Sequence, residues 1–268
     1  SNWFPAISLS WNKNKWSATL ACTNKTKRPN YSSLRNEVQY DNRYLYEGGN
    51  PYLRPCVISN IDLNVVYKWL SLNAGYNYID KPIIWTSTLY HGKDIIFQRS
   101  LNFSNDQDLY ASLVAEPRFG WYNPMFEIDY SQTFLSTAGF DIEGIASKPS
   151  FRLRCNNRFD ISKTIKAYLN MKYRTSVHDG LQYTKPYSQM DIRLSKTFCK
   201  EAWQISLFAN DLFRQSKERW TTYGSRTPIT KNCYEYYRCV GLVVRYRFNT
   251  ANSKYKGIGA GNAEKNRL

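Results

Sequence analysis

From Val57 to Trp69 the apolar residues Val57, Ile61, Leu63, Val65, Tyr67 and Trp69 occupy odd positions, with Asn60, Asp62, Asn64 and Lys68 between them. A repeat of two residues is that of a β-strand. At Trp69-Leu70 the phase slips, and Leu70, Leu72, Ala74, Tyr76 and Tyr78 become the apolar set, separated by Ser71, Asn73 and Asn77. The pattern predicts two long antiparallel strands joined by a tight turn, each apolar on one face and small or polar on the other. A hairpin of this kind suits a wall that stands between lipid and water.

The same alternation recurs along the chain. Trp3, Pro5, Ile7, Leu9 and Trp11 precede a turn at 12–14, and Trp16, Ala18, Leu20 and Cys22 answer them. Further apolar faces are Phe126, Ile128 and Tyr130; Phe151, Leu153, Cys155 and Phe159; Ile165, Ala167, Leu169, Met171 and Tyr173; Met190, Ile192, Leu194 and Phe198; Trp203, Ile205, Leu207 and Ala209; and a last strand from Tyr236 to Phe248. Kinks at Asp80-Lys81-Pro82 and near Asn105 extend one pair of strands into arms longer than the roughly 10 residues that cross a bilayer. Short turns near 12–14, 69–70, 120–123, 160–163 and 199–202 alternate with long connections at 26–56, 137–148 and 176–186 and before the last strand. The Gly, Pro and Asn content of 26–56 indicates an ordered loop. No segment has a period of 3.6, so essentially no helix is expected.

Aromatic residues gather at the short turns: Trp11, Trp16, Trp69, Trp121, Phe159, Phe198, Trp203 and Phe248. They are expected to form a membrane-interface belt. The predicted fold is all-β, an antiparallel transmembrane β-barrel wall of about eleven strands. It covers residues 1–249, followed by a flexible periplasmic tail at 250–268. The first strand runs toward the short-turn side, whereas a complete single-chain bacterial barrel has an even strand number. Further strands are therefore expected on the amino-terminal side.

Composition supports a wall more than a globule. The 268 residues are 42% hydrophobic, and the 22 Tyr, 13 Phe and 8 Trp suit interfacial belts. No apolar run approaches the ~18 residues of a membrane-crossing helix, and SNWFPAISLS lacks the basic start and apolar core of a signal peptide. The net charge of +16 calls for a partner. No nucleic-acid-binding motif is present; the anionic headgroups of the lipid bilayer and of lipopolysaccharide account for the charge instead. The six cysteines contain no CxxC pair, which argues against zinc. Cys22 and Cys155 read as small buried hydrophobes, and Cys233 and Cys239 are placed where they can bridge.

RPNYSSL at 28–34, GGNPYLRP at 48–55, NDLF at 210–213, RYRFN at 245–249 and the Gly-rich basic tail, in this order, resemble the carboxy-terminal half of the outer-membrane β-barrel of Bacteroidetes-type TonB-dependent receptors. The resemblance implies a barrel of about twenty-two strands, an amino-terminal plug, and active uptake of a scarce ligand. It also implies location in the outer membrane of a Gram-negative bacterium. The implied partners are the amino-terminal barrel half and plug of the same receptor, TonB acting through that plug, and a surface lipoprotein. A soluble all-β binding or adhesin module and a smaller complete porin-like barrel are the alternatives.

Candidate chemistry is sparse. Glu127 and Asp129 share a face and read either as a catalytic carboxylate pair or as charges on a water-filled wall, the second being the default for inward positions. Arg152 and Arg154 share a face of the next strand, within reach of cross-strand pairing, and Arg245 and Arg247 take the polar side of the last. GIGAGN at 257–262 lacks the spacing of a phosphate loop. His91 and His178 lie far apart in loops, and no nucleophile–base arrangement appears, so no enzyme, cofactor or metal is expected. Two long loops combine aromatic with basic residues: Arg43, Tyr44, Tyr46 and Tyr52 in one, Trp220 and Tyr223 in the other. They are the expected ligand-binding residues, with loop-to-loop packing as the alternative use of the same side chains.

Overall fold

The computed structural model describes residues 4–140, 142, 147–224, 228–233 and 237–248. Trp3, Tyr236, GIGAGN and the tail at 250–268 lie outside them. The chain enters on β1 (Ala6–Lys13) and β2 (Trp16–Lys27), passes a 3₁₀ turn at Tyr31–Leu34 and the hairpin β3 (Val38–Asn42) and β4 (Leu45–Gly48), and returns on β5 (Cys56–Tyr67) and β6 (Leu70–Asp80). There follow β7 (Ile83–Leu89), β8 (Ile96–Asn102), β9 (Asn105–Ala115), β10 (Tyr122–Thr133), β11 (Ser150–Asp160) and β12 (Ile165–Arg174). The remainder is β13 (Val177–Asp179), β14 (Gln182–Thr184), β15 (Tyr187–Phe198), β16 (Trp203–Asn210), β17 (Glu218–Thr222), β18 (Ile229–Cys233) and β19 (Cys239–Tyr246).

Eleven strands form one sheet in the order β1-β2-β5-β6-β9-β10-β11-β12-β15-β16-β19. Every neighbouring pair is antiparallel, and among the described residues β1 and β19 are each paired on one side only. The phase slip at Trp69-Leu70 is the turn Lys68-Trp69, with Tyr67 paired to Leu70 and Lys68 in the left-handed region at φ 54°. The first turn is Asn14-Lys15, two residues beyond its expected start, again with a left-handed first residue, Asn14. Gly120 supplies the positive φ (64°) that closes the β9–β10 connection.

At the other end of the wall the predicted loops are largely strand. One excursion set makes a four-stranded sheet, β3-β4-β8-β7, and another makes β13-β14-β17-β18. The predicted arms at 83–90 and 95–102 leave the wall at Lys81, whose φ is 52°, and pair with each other as β7 and β8. Alternation did not show this because several of these strands are short, with five residues in β3 and three each in β13 and β14, too few to set a period.

The side chains sort by parity. On one face of the wall stand Leu9, Leu20, Leu63, Leu113, Ile128, Leu153, Leu194, Leu207 and Leu242, all exposed. In a sandwich that set would interdigitate with a second sheet; here it faces outward over the whole wall. The buried apolar residues among those described, Leu53, Cys56, Phe97, Phe103 and Leu181, lie at the long-connection end, where the two smaller sheets join the wall. Phe103 is 1% exposed and stacks on Phe140 at 4.1 Å. Two cysteine expectations are corrected: Cys22 is exposed on the apolar face and Cys155 half-covered, because that face has no protein against it, and Cys233 and Cys239 are both free thiols.

A buried amide also stands on the apolar face. Asn157 follows the parity of Leu153 and Cys155 yet is 5% exposed. Tyr122 lies over it and donates its hydroxyl to Asn157 Oδ1 at 2.7 Å, while Asn157 Nδ2 donates to the Leu169 carbonyl at 3.1 Å. An amide on an apolar face is tolerable when satisfied in this way. In lipid vesicles, Leu63→Arg in the full-length chain should lower the free energy of urea unfolding by about 2–4 kcal/mol. The adjacent Asn64→Arg, on the opposite face, should stay within about 0.5 kcal/mol.

Candidate functional site

The polar face of the wall is a network. Gly75 leaves room for Tyr110: a Cβ there would come within 2.3 Å of the phenol oxygen. Tyr110 crosses the gap and donates to Asp62 Oδ1, and Asn60 Nδ2 donates to Tyr110 (3.2 Å) and to Asn77 Oδ1 (2.7 Å). Three strands, β5, β6 and β9, are thereby tied side chain to side chain.

The next rungs carry the charges. Register pairs Glu127 with Arg154 and Asp129 with Arg152, so the cross-strand pairing left open by the sequence is the one adopted. Arg154 is hydrogen-bonded to Glu127, and Asp129 Oδ2 lies 3.5 Å from Arg152 Nε and 3.6 Å from Arg154 Nη2. Ser112 donates to Asp129 Oδ1 at 2.7 Å. Arg174 faces Arg152 across β11 and β12, and its guanidinium lies 4.8 Å from the Tyr187 ring centroid. Ser112, Asp129, Arg152, Arg154 and Arg174, with Asp108, Tyr110 and Asp179, line a recess of about 530 Å³. Within it Asp129 Oδ2 and the Arg174 Nε and Nη2 atoms are buried without a hydrogen-bond partner. The recess offers charged and hydrogen-bonding groups. Asp108, Arg174 and Asp179 were not singled out from sequence, although Asp108 shares a strand face with Asp106 as Arg152 does with Arg154.

Above the recess sits β13. Burial, and then the nearby Asp108 carboxylate, raise the Asp179 pKa above the ordinary carboxylate range. Burial, and then the charge of Lys148, lower that of His178, whose ring lies 4.8 Å from that of Tyr183.

The loop residues expected to bind ligand fall into two places. Arg43 stacks over the Tyr44 ring at 4.5 Å, and Tyr46 packs against Tyr40 (5.6 Å) and Tyr90 (5.1 Å) within the β3-β4-β8-β7 sheet. Tyr52 stands apart, 87% exposed, on the turn made by Asn50. Trp220 is paired with Lys231 and Thr184 in the other sheet, and the Tyr223 amide donates to the Leu181 carbonyl at 2.8 Å. The two groups do not converge on one pocket, but their sheets touch: a Cβ on Gly224 would lie 2.7 Å from Ser87 Cβ. Loop packing is thus one use of Tyr46, while Tyr44 and Tyr52 present exposed rings.

The aromatics of the short-turn end make contacts from strand to strand. Trp16 stacks on Tyr67 at 4.2 Å, Trp121 lies 5.9 Å from Phe159, and Phe198, Trp203, Tyr246 and Phe248 follow one another at 6.3, 4.6 and 4.6 Å. Trp11 and Trp69 are exposed on the same rim.

A family model described as "Outer membrane protein beta-barrel family" matches residues 1–246. The chain belongs to that family. As an outer-membrane β-barrel protein it resides in the outer membrane of a Gram-negative bacterium, with the apolar face toward lipid and the polar face toward the lumen. No curated protein matches its sequence. Among solved structures, the siderophore receptor PirA from Pseudomonas aeruginosa superposes with a TM-score of 0.62 at 14% identity, over 80% of this chain and 39% of that one. A mutant of the ferric enterobactin receptor PfeA from Pseudomonas aeruginosa, in complex with enterobactin, gives a TM-score of 0.57 at 13% identity, over 81% and 36%. The chain thus spans under two-fifths of the length of either receptor, and what it shares with them is the barrel fold.

Two outcomes are expected of the full-length barrel. In a double-mutant cycle read by urea unfolding, Glu127→Gln and Arg154→Gln should show a coupling of about 0.5–3 kcal/mol. Asp179→Asn should slow amide exchange in β13 at neutral pH. The folded carboxyl binds its proton more tightly than the unfolded one, so ionisation disfavours the folded hairpin as pH rises through the raised pKa. The benefit of the substitution should therefore vanish below the ordinary carboxylate range.

Proposed function

We propose that the chain supplies part of the wall, and extracellular recognition sheets, of a larger plugged receptor of the Bacteroidetes TonB-dependent type, which takes up a scarce nutrient. The observation that carries this reading is the asymmetry of the wall: tight turns at one end, and folded four-stranded sheets on the long connections at the other. A passive pore has no use for folded sheets at its mouth, whereas ligand capture places binding groups on loops carried by a rigid scaffold. The wall strands with one unpaired side, β1 and β19, are supported in this reading by further strands of the same barrel. A plug bears on the charged lumen wall, including the recess at Asp129 and Arg174 and the lumen-facing Arg245, and reaches TonB from the periplasm.

In this reading Arg43, Tyr44, Tyr46, Tyr52, Trp220 and Tyr223 contact the ligand, and stacking plus positive charge suits an anionic aromatic chelate or a sugar. The structural neighbours are by name a siderophore receptor and a ferric enterobactin receptor, in keeping with the first. Trp11, Trp16, Trp69, Trp121, Phe159, Phe198, Trp203 and Phe248 form the periplasmic-side interfacial belt of residues 1–249, with 250–268 as a periplasmic tail. A surface lipoprotein covers the mouth.

Cells whose only copy is the full-length protein should accumulate its ligand when TonB is present and stop when TonB is deleted, and Tyr44→Ala with Tyr52→Ala should weaken capture about tenfold or more. Leakage of small sugars from liposomes at porin rates, with uptake indifferent to TonB, would overturn the reading in favour of the smaller porin-like barrel.

A further inference from the structure

The charges of the lumen recess fall into two groups, one that is satisfied within the wall and one that is not. Ser112, Asp129, Arg152, Arg174 and Tyr187 are paired in turn across β9, β10, β11, β12 and β15. In the middle of this rung and the next, Asp129 and Glu127 hold Arg152 and Arg154. Arg174 is different. Among the described residues it makes no ion pair, its Nε and Nη2 have no hydrogen-bond partner, and its guanidinium lies against the Tyr187 ring.

On the other side of the recess stand carboxylates without a cation. Asp108 accepts from the Thr133 hydroxyl at 2.8 Å. Asp179 lines the recess from β13, which packs against β10 and β11, and it is exposed. Neither carboxylate forms an ion pair among the described residues. Between the two sides lie hydroxyls: Ser131 and Ser150, paired across β10 and β11, both line the recess.

Arg174 on β12 and Asp108 on β9 are three strand spacings apart, which is about 14 Å across the sheet before either side chain reaches inward. They do not bridge each other, and the space between them has the volume of a small-molecule site, which is about 300–1,000 Å³. An occupant that satisfies both sides carries a negative group at one end and a positive group at the other. A free amino acid is too short, since its two charges sit on one Cα. An extended peptide gains about 3.3–3.6 Å per residue, so three or four residues span the distance.

We propose that this recess is a binding site for short peptides with free termini, three or four residues long. The terminal carboxylate accepts charge-assisted hydrogen bonds from Arg174, and the terminal ammonium lies against Asp108 and Asp179. Ser131 and Ser150 serve the peptide backbone between them. The site deepens the receptor reading and rests on it for the ligand's access to the lumen. A plug that bears on this wall closes the recess from the periplasmic side.

The test is calorimetric titration of tetra-alanine into the full-length protein purified in detergent, with heat-modifiable gel migration as the check of folding. Saturable binding is expected, and N-acetylated and C-amidated tetra-alanine should each bind at least about tenfold more weakly. Free alanine should bind more weakly than tetra-alanine. Arg174→Gln should remove the preference for the free carboxylate over the amide, and Asp108→Asn with Asp179→Asn the preference for the free amine over the acetylated one. Lys13→Ser with Lys15→Ser, at the short-turn rim, should change neither preference. The proposal is overturned by no saturable binding up to about 1 mM, by equal binding of either capped peptide, or by preferences that survive the variants. If the variants do not fold, the capped peptides decide alone. This equilibrium needs no TonB, so its failure leaves TonB-dependent uptake, the test of the receptor reading, to be decided separately.

Discussion

Backbone amides in hydrocarbon have no water to turn to, so each strand that crosses the membrane must find its hydrogen bonds in its neighbours. The eleven-stranded sheet is organised by that requirement. Pairing runs unbroken from Lys27↔Cys56 down to Trp16↔Tyr67 and on from Val57↔Asp80 to Tyr67↔Leu70. Once the backbone is committed, a period of two forces alternate side chains into two different solvents. Leucines and aromatics go to lipid. Asparagines, serines and the ion pairs of β10 and β11 go to the lumen.

The exceptions show the same constraint at work on side chains. Asn157 stands on the lipid side and is covered by the Tyr122 hydroxyl. Asp211, at the end of a lipid-facing strand, is enclosed by its own loop. Neither is left to find water. In the lumen a small residue at Gly75 lets a phenol cross to Asp62, which replaces hydration with a fixed donor.

The wall was legible because its grammar is regular. The phase slip at Trp69-Leu70 marks the turn to within one residue, and the shared faces of Glu127 with Asp129 and of Arg152 with Arg154 allow the cross-strand pairing, although register itself comes from the structure. The extracellular sheets were less legible. β13 and β14 have three residues each, too few to establish a period, and the parallel pairing of β4 with β8 joins segments separated by two wall strands. The cysteines were misjudged for a related reason: an apolar phase implies burial in a globule, but on this wall it means contact with lipid.

Each excursion at the extracellular end leaves and re-enters the wall through residues already paired with each other: Lys27 with Cys56, Asp80 with Asn105, Ser131 with Ser150, Arg174 with Tyr187 and Asn210 with Cys239. The scaffold therefore ends in five clamped sockets whose spacing is independent of what they carry. Insertions, deletions or wholesale exchange of the segments between them leave the register of the membrane sheet unchanged. This end of the wall is modular in the engineering sense, and its excursions can vary without renegotiating the part of the molecule that must survive in lipid.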